Sequence, residues 1–295
     1  MIIVLSFFRI AVVTGGNKGI GLEICKKLAS NGVDVILTAR DEMRGKGAVE
    51  RLSRDYGLTN ITVHQLDVTD PSSIETLAGF VKTKCGKLDI LVNNAAIGGF
   101  ELSKPIDEKL RQQERAEIFH NNLIESYDKA VNCLKTNYYG VKNMIQAFLP
   151  LVQLSNSGRI VNVSSTLGQL QKLNNEKLRK ELKDIDNLTV ERIDDLAKSF
   201  LESVKDNTVE KIKWTDRFHA YSISKILMNA YTRIIAKSYP SVMINCVNPG
   251  YVKTDLNFNT GALTVIEGAE GPAMVALGEG GPTGQFYDRT QISFF

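Results

Sequence analysis

Two residues in the last third of the chain have the types and the spacing of an acid–base pair. Tyr221 and Lys225 are four positions apart, so on a helix their side chains share one face. A phenol with a pKa near 10 exchanges protons poorly at neutral pH. An ammonium group about 5 Å away, at an effective dielectric constant of about 20, favours the phenolate by about 3 kcal/mol, or roughly two pKa units. The pair predicts a proton-donating tyrosine whose pKa is lowered by Lys225. An isolated pair is more often part of an ordinary amphipathic helix, so it gains weight only from partners elsewhere in the chain.

A glycine-rich stretch near the N-terminus has the pattern of a phosphate-binding turn. The apolar run Ile10–Val13 is typical of a short buried strand, and helical periodicity resumes at Leu22–Ala29. Between them the spacing is Gly15-x-x-x-Gly19-x-Gly21, which differs from the commonest dinucleotide pattern. N–H groups at the start of a helix attract phosphates, and glycines let the backbone approach them without a Cβ in the way. A tight strand-to-helix turn without a ligand is the alternative for this stretch alone.

Strand and helix signals alternate along the rest of the chain without a linker. The strands are predicted at Val33–Thr38, Ile61–Leu66, Leu88–Val92, Arg159–Val163 and Met243–Val247, with a last turn and edge strand at Gly280–Phe286. The helices are predicted at Met43–Tyr56, from Pro71 with Asp70 as N-cap, at Asn137–Leu149 up to Pro150, and at Tyr221–Lys237. Strongly apolar strands joined by helices predict an α/β fold, a doubly wound parallel sheet in one domain over residues 1–295.

Two charged segments are longer than simple connections require. Part of Glu101–Lys135 is predicted to be an inserted helix. Residues 166–220 form a predicted helical insertion before Tyr221, with helical periodicity in Leu173–Leu182 and Val190–Val204.

Composition excludes several classes of function. The 295 residues carry a formal charge of +3, too little to indicate a nucleic-acid or anionic membrane partner. The four cysteines and three histidines show no metal-ligand spacing, so we expect that the protein binds no metal. The histidines are expected to have structural or surface roles, and the scattered cysteines indicate a reducing, cytoplasmic location. The apolar stretch Met1–Phe8 is too short to cross a bilayer and lacks a basic region and a cleavage site. It is interpreted as an extension of unclear role, with a peripheral contact as the alternative.

Seven motifs in register resemble the short-chain dehydrogenase/reductase family. They cover nearly the whole chain in the family's order: Thr14–Gly21, Asp67-Val68, Asn93–Ala96, Asn137, Ser164-Ser165, Tyr221-x-x-x-Lys225 and Asn248-Pro249-Gly250. The long segment before Tyr221 and the string GRIVNVSS resemble its carbonyl reductase branch, which includes plant menthone/neomenthol and salutaridine reductases.

The resemblance implies a catalytic group of four residues. Ser165 would polarise a substrate carbonyl and Tyr221 would donate the proton. Lys225 would hold the nicotinamide ribose, and the backbone of Asn137 would support a water chain from Lys225 to solvent. The alternatives are that the serines satisfy backbone groups at a strand end and that Asn137 only kinks a helix.

The resemblance also implies NADPH as the cofactor. Arg40 stands at the end of the second strand, where an acidic residue would bind the ribose of NAD, and Lys18 lies in the glycine turn. Asp67 would accept from the adenine amino group. The implied cofactor contacts are Gly15, Asn17, Lys18, Gly19, Ile20, Gly21, Arg40, Asp67, Val68, Asn93, Ala95, Tyr221, Lys225, Pro249, Gly250, Val252 and Thr254. Ala96 replaces the glycine of the family's Asn-Asn-Ala-Gly, and an alanine disfavours a positive φ there.

The implied function is reduction of a hydrophobic ketone or aldehyde, terpenoid-like or alkaloid-like. Its pocket walls are expected from Ala96–Phe100, Thr166–Leu170 and the loop after Gly250, where Ile97, Phe100, Leu167, Leu256 and Phe258 are apolar. Enone reduction or epimerisation on the same fold, and a catalytically silent NADP-binding regulatory protein, are the alternatives.

The resemblance also implies an oligomeric state. Most family members assemble through the helices near Asn137–Leu149 and Tyr221–Lys237. Because the apolar stripes of 166–220 would cover that flank and its charged face suits water, a monomer is predicted, with a dimerisation arm as the alternative.

Overall fold

A computed structural model describes residues 9–107 and 109–295. The predicted extension Met1–Phe8 lies outside the described residues, so the prediction about it stays untested. Within the described part of the chain, no helix has the length and apolar character needed to span a bilayer.

The described residues form one twisted sheet of eight strands, in the order β3-β2-β1-β4-β7-β8-β9-β10. Its strands are β1 Ile10–Val13, β2 Asp34–Ala39, β3 Ile61–Gln65, β4 Ile90–Asn93, β7 Arg159–Val163, β8 Met243–Asn248, β9 Phe286–Asp288 and β10 Gln291–Ser293, and only β10 pairs antiparallel. A separate two-stranded ribbon joins β5 Glu101–Leu102 to β6 Leu123–Ile124. Every residue of β1, β4 and β7 is buried, as expected for strands covered on both faces. The predicted doubly wound α/β fold is confirmed.

Helices cover both faces of this sheet. They are α1 Gly19–Ser30, α2 Glu42–Tyr56, α3 Pro71–Cys85, α4 Gln112–Asn121, α5 Tyr127–Leu134, α6 Gly140–Val152, α7 Glu176–Lys183, α8 Val190–Lys205, α9 Val209–Ile212, α10 His219–Ser238 and α11 Val265–Leu277. The predicted cap of α3 is confirmed, since the Asp70 carboxylate accepts from the Ser72 N–H at 3.0 Å and Pro71 opens the helix. Between α5 and α6, residues Lys135–Tyr139 form a π-helical turn that contains Asn137.

The C-terminal part of the chain departs from the sequence-based prediction. Helix α11 was not predicted, because Gly268, Gly271 and Pro272 interrupt its apolar pattern. Close packing requires those glycines: a Cβ on Gly271 would lie 2.2 Å from the Arg289 carbonyl oxygen. The turn predicted within Gly280–Phe286 is present, but the edge strand predicted with it lies further along the chain. Gly280, Gly281 and Gly284 have positive φ and form a turn, and β9 begins only at Phe286.

Residues 166–220 fold into short 3₁₀ turns followed by α7, α8 and α9. The apolar side chains of α8 are buried against α5 and α10, including Ile193, Leu196 and Phe200. On α7, Glu176, Lys177 and Lys180 face water. This segment therefore lies over the flank of α10 with its charged side outward.

One polar contact fastens α8 to the body of the protein. The Asp194 carboxylate accepts from the buried Tyr138 hydroxyl at 2.7 Å and from the Lys142 ammonium at 2.5 Å. Burial, followed by the hydrogen bond to Asp194 and then its charge, raises the pKa of Tyr138, so the phenol acts as a donor here. Loss of the carboxylate would leave a buried hydroxyl and a mostly buried ammonium without their acceptor.

We expect Asp194→Ala to lower the free energy of unfolding by about 1–3 kcal/mol, the cost of unsatisfied buried donors. Urea denaturation measures the change. Asp195→Ala is the matched control, because this neighbour is exposed and pairs only with the exposed Lys198. Equal effects of the two substitutions would show that Asp194 does not fasten the insertion.

Candidate active site

A cavity of about 1070 Å³ lies at the carboxyl edge of the sheet. Four neighbouring strands, β1, β4, β7 and β8, deliver the segments that line it: the glycine turn, residues 94–98, residues 164–167 and residues 248–259. The first turns of α10 complete the wall with Phe218, Tyr221 and Lys225. A ligand at the carboxyl ends of parallel strands, where the strand order reverses, is the general expectation for such sheets.

Ser165, Tyr221 and Lys225 meet at the floor of this cavity. Ser165 directly follows β7, and its hydroxyl oxygen accepts from the Leu167 N–H at 3.1 Å. The same hydroxyl lies near the Tyr221 phenol and acts to lower the pKa of that phenol. The Lys225 side chain is buried, donates from Nζ to the Val163 carbonyl oxygen at 2.8 Å, and lies 5.7 Å from the centre of the Tyr221 ring.

The two adjacent serines point to different environments. Ser164 is buried and donates to the Asn229 side-chain oxygen at 2.7 Å. Ser165 lies beside Tyr221 at the cavity. The geometry thus gives Ser165 access to a ligand and gives Ser164 a role in packing α10 against β7.

The predicted lowering of the Tyr221 pKa is wrong for its net direction in this arrangement. Burial raises the pKa of Tyr221 above its ordinary value, the neighbouring Cys133 adds to the increase, and the nearby Ser165 hydroxyl opposes it. Burial also lowers the pKa of Lys225 to about 8, opposed by Cys133 and Cys246. The difference arises from desolvation, which disfavours the charged form of both Tyr221 and Lys225 and which the spacing of the two residues does not reveal. The protein's own residues therefore keep Tyr221 protonated at neutral pH.

Asn137 supports the site from behind the cavity wall. Its side chain is fully buried in the π-helical turn. Its amide oxygen accepts from the Ile97 N–H, and its amide nitrogen donates to the Ile97 carbonyl, both at 2.9 Å. A third bond joins it to the Ser224 hydroxyl at 3.0 Å. Asn137 thus fixes the loop after β4 to α10, and its side chain does not line the cavity.

The glycine turn forms the opposite end of the cavity. Gly15 and Gly19 have φ of 63° and 58°, values that favour glycine. A Cβ on Gly21 would lie 2.4 Å from the Gly15 carbonyl oxygen, so this position also requires glycine. The Thr14 hydroxyl oxygen accepts from the Asn94 and Ala95 N–H groups at 2.9 Å, which joins the turn to the loop after β4.

Most of the predicted cofactor contacts line this cavity. They are Gly15, Asn17, Lys18, Gly19, Ile20, Gly21, Arg40, Asp67, Val68, Ala95, Tyr221, Lys225, Pro249, Gly250, Val252 and Thr254. Asn93 is absent from the lining, because its buried amide donates to the Asn162 side-chain oxygen at 2.8 Å. Lys18 pairs with Asp255 across the mouth of the cavity at 2.5 Å. The backbone φ of Ala96 is not positive, so the alanine at this position, where the family has glycine, is not strained.

Asp67 and Arg40 give the cavity a charged corner. Both bonds from Thr69, one from its N–H and one from its hydroxyl, end on Asp67 Oδ1. Burial acts to raise the pKa of Asp67, but the Thr69 bonds and the charges of Arg40 and Lys135 lower it overall. The carboxylate is therefore ionised at neutral pH, with Oδ2 left for a ligand donor.

The sequence model for short chain dehydrogenases matches residues 9–176. The chain belongs to this family. (+)-Neomenthol dehydrogenase of Arabidopsis thaliana is 49% identical over 293 residues, which cover 97% of this chain and 98% of that protein. Mouse (Mus musculus) carbonyl reductase [NADPH] 3 is 37% identical over 284 residues, 92% of either chain. The solved structure of salutaridine reductase from Papaver somniferum has a TM-score of 0.88 at 45% identity, over 95% of this chain and 99% of that one.

These relatives confirm the resemblance to the carbonyl reductase branch. As a short-chain dehydrogenase with such relatives, the protein is an oxidoreductase of the C=O/CH–OH couple. The family match ends at residue 176, before Tyr221 and Lys225. The helices inserted between Ser165 and Tyr221 separate these two residues of the predicted catalytic group in the sequence, while the fold brings them to one cavity.

Sequence reasoning missed an aromatic cluster in the cavity of this short-chain dehydrogenase. Phe119, His120 and Phe218 line the cavity beside the expected Phe100 and Phe258. Ring centroids of Phe119 lie 5.5 Å from Phe100 and 5.9 Å from Phe258. His120 is exposed, as expected for a surface residue, and it also lines the cavity. Partial burial, followed by the charge of Arg217, lowers its pKa. Phe119 and His120 belong to a charged insertion whose local pattern gives no sign of this placement.

Proposed function

We propose that this protein is an NADPH-dependent reductase of a hydrophobic ketone or aldehyde, with Tyr221 as the proton donor. The observation that carries the proposal is that Ser165, Tyr221 and Lys225 line one cavity together with the glycine turn, with the Lys225 ammonium 5.7 Å from the centre of the Tyr221 ring. Two hydroxyls that converge on one point can donate to a single carbonyl oxygen.

The residues that line the cavity fit NADPH. Glycines at 15, 19 and 21 leave room for the pyrophosphate at the start of α1, where helix N–H groups face it. Asp67 and Arg40 line the same cavity, where Asp67 would accept from the adenine amino group and Arg40 would pair with the 2′-phosphate. Lys225, Pro249 and Gly250 would hold the nicotinamide half, which supplies the hydride when bound. Lys18 would reach the 2′-phosphate only by leaving Asp255, so Arg40 carries the main preference.

The chain's own residues account for the proton. Ser165 and Tyr221 orient and polarise the carbonyl, and the Tyr221 phenol transfers its proton to the oxygen as the carbon is reduced. Since burial raises the pKa of Tyr221, the phenol is protonated before the reaction, which favours reduction over alcohol oxidation. The Lys225 ammonium, held by the Val163 carbonyl, stabilises the phenolate that forms.

The walls of the cavity support a hydrophobic substrate of terpenoid or alkaloid type. Ile97, Phe100, Leu167, Leu256 and Phe258, the apolar residues expected there, line the cavity together with the aromatic cluster. The names of the neomenthol and salutaridine relatives agree with this class. A purified-protein assay of NADPH absorbance with cyclic ketones, aldehydes and enones tests it. Turnover of enones alone, or cofactor binding without any turnover, would favour the two alternatives.

The Tyr221→Phe substitution removes the proton donor and leaves the ring in place. We expect kcat to fall by about 10²–10⁴-fold, the usual contribution of a positioned acid, with the Kd for NADPH nearly unchanged. Steady-state kinetics and fluorescence titration measure the two quantities. Tyr56→Phe, at an exposed tyrosine of α2, is the control. Near wild-type activity of Tyr221→Phe would contradict the mechanism.

The Arg40→Ala substitution tests the preference for NADPH over NADH. A charge-assisted bond contributes about 1.5–3 kcal/mol, so kcat/KM for NADPH should fall about 10- to 150-fold while that for NADH changes little. Arg44→Ala is the control, because Arg44 is exposed on α2, pairs with Asp41 and does not line the cavity. An unchanged cofactor ratio in Arg40→Ala would overturn this assignment.

The pH profile of reduction follows from the buried lysine. With the pKa of Lys225 lowered to about 8, the ammonium is present below that pH and lost above it. We expect kcat/KM for reduction to be level at neutral pH and to fall above about pH 8. Lys225→Arg keeps the charge in the alkaline range and should move this fall upward if the variant remains active. A level wild-type profile to pH 10 would contradict the role of the charge.

We propose further that the protein is a monomeric, cytoplasmic enzyme whose partner is a small molecule. The insertion over residues 166–220 lies on α10 and α5. Helix α10 is one of the two helices through which the family resemblance implies association. All four cysteines are unpaired, which suits a reducing compartment. Light scattering coupled to gel filtration should give a mass near 32.7 kDa at micromolar concentration. A mass of twice that value would make the insertion a dimerisation arm.

A further inference from the structure

The catalytic helix α10 begins without a cap from its own sequence. Phe218, the residue before it, has a left-handed backbone with φ of 52°, and no side chain at that position bonds to the first turn. The first N–H groups of a helix have no partner inside the helix and need acceptors from elsewhere. Tyr221 lies in this first turn, so the acceptor that holds the turn also bears on the phenol.

Glu125 supplies the acceptors from a distant part of the chain. Its Oε2 accepts from the His219 N–H at 3.1 Å, and its Oε1 accepts from the Ala220 N–H at 3.2 Å. Glu125 lies between β6 and α5, and 94 positions separate it from His219. A carboxylate at this place also faces the positive end of the helix dipole. Burial raises the pKa of Glu125, opposed by the His219 charge and the two backbone bonds.

The Glu125 contact is one of two that fix the N-terminal part of α10, on which Tyr221 lies. One turn beyond Tyr221, Lys225 ties the helix to Val163 at the end of β7. Glu125 ties the first turn, which includes Tyr221, to the segment that follows the ribbon of β5 and β6. With both turns held, the Tyr221 hydroxyl keeps its place near Ser165, and Phe218 keeps its place in the aromatic wall of the cavity.

We infer that Glu125 is a positioning residue for the reaction: its two carboxylate oxygens hold the first turn of α10, and with it Tyr221, in the reactive geometry. This inference rests on the proposed reductase function and adds to it a residue outside the cavity. Displacement of a reacting group by about 1 Å can cost up to about 10²-fold in rate. A cap that only stabilised the fold would change the unfolding midpoint and leave the turnover of folded protein unchanged.

A second cavity offers a direct test of this role. It has a volume of about 480 Å³ and is lined by Glu125, His219, Ala220, Phe200 and Lys205 among others. Glu125→Ala would enlarge this cavity next to the two N–H groups. Acetate or formate could then enter and accept from them, as the native carboxylate does.

The experiment compares Glu125→Ala, Glu125→Gln and Glu117→Ala with the wild type. We expect kcat of Glu125→Ala to fall about 10- to 100-fold with little change in KM or in the Kd for NADPH, and acetate to restore part of it. Glu125→Gln keeps one acceptor oxygen and should retain intermediate activity even if the alanine variant folds poorly. Glu117→Ala, at an exposed glutamate of α4 in the same insertion, should behave as wild type. A lower unfolding midpoint with unchanged kcat would overturn the inference.

Hydrogen exchange separates failure of this inference from failure of the proposed function. A peptide spanning residues 215–225 should exchange faster in Glu125→Ala, and acetate should slow it again, whatever the substrate is. If the wild type reduces no carbonyl compound, the proposed function fails, and the exchange of this peptide still decides whether Glu125 holds the helix. Unchanged exchange in Glu125→Ala overturns the inference by itself.

Discussion

The buried ammonium group of Lys225 on the Val163 carbonyl is the contact on which the site depends. Burial of a charge is costly, and this hydrogen bond offsets part of the cost. The contact also belongs to a row of buried polar bonds between α10 and β7. Asn229 accepts from Ser164, and Thr232 accepts from Asn162, at 2.7 and 2.8 Å. Residues 225, 229 and 232 follow helical spacing, so one face of α10 is matched to successive residues of β7. The register of helix and strand then brings Tyr221 and Ser165 together.

This row also explains why one predicted cofactor contact has another role. Asn93 ends β4, and its amide donates to Asn162, which itself donates to Thr232. The family motif at Asn93–Ala96 thus serves two purposes: its first residue extends the buried row across two strands, and its later residues line the cavity. A motif in a sequence marks residues that a site needs, but it does not separate those that touch a ligand from those that hold the neighbouring strand.

The sheet could be predicted from sequence because each central strand is a short apolar run rich in β-branched residues, bounded by glycine, proline or polar signals. Three features could not. Helix α11 has two glycines and an internal Pro272 that interrupt its apolar pattern, and its fit depends on close packing of Gly268 on Val252 and of Gly271 on Arg289. The place of His120 and Phe119 in the cavity depends on how a charged insertion folds back over the sheet. The pKa of Tyr221 depends on burial, which the spacing of Tyr221 and Lys225 does not reveal.

Different parts of the fold hold the proposed reacting groups and the aromatic wall of the cavity. The proposed reacting groups lie at the end of β7 and on α10, which the buried polar row fixes to each other. The aromatic wall comes from separate segments, and three of these are held by a polar side chain that bonds to backbone groups. Asn137 holds the loop that leads to Phe100, Glu125 holds the turn at Phe218, and Asn257 holds the loop before Phe258 through the Val252 carbonyl at 2.9 Å. Because the fasteners bond to backbone groups, they constrain the path of each segment and leave its side chains open to change. The shape of the wall can therefore vary while Ser165, Tyr221 and Lys225 keep their geometry.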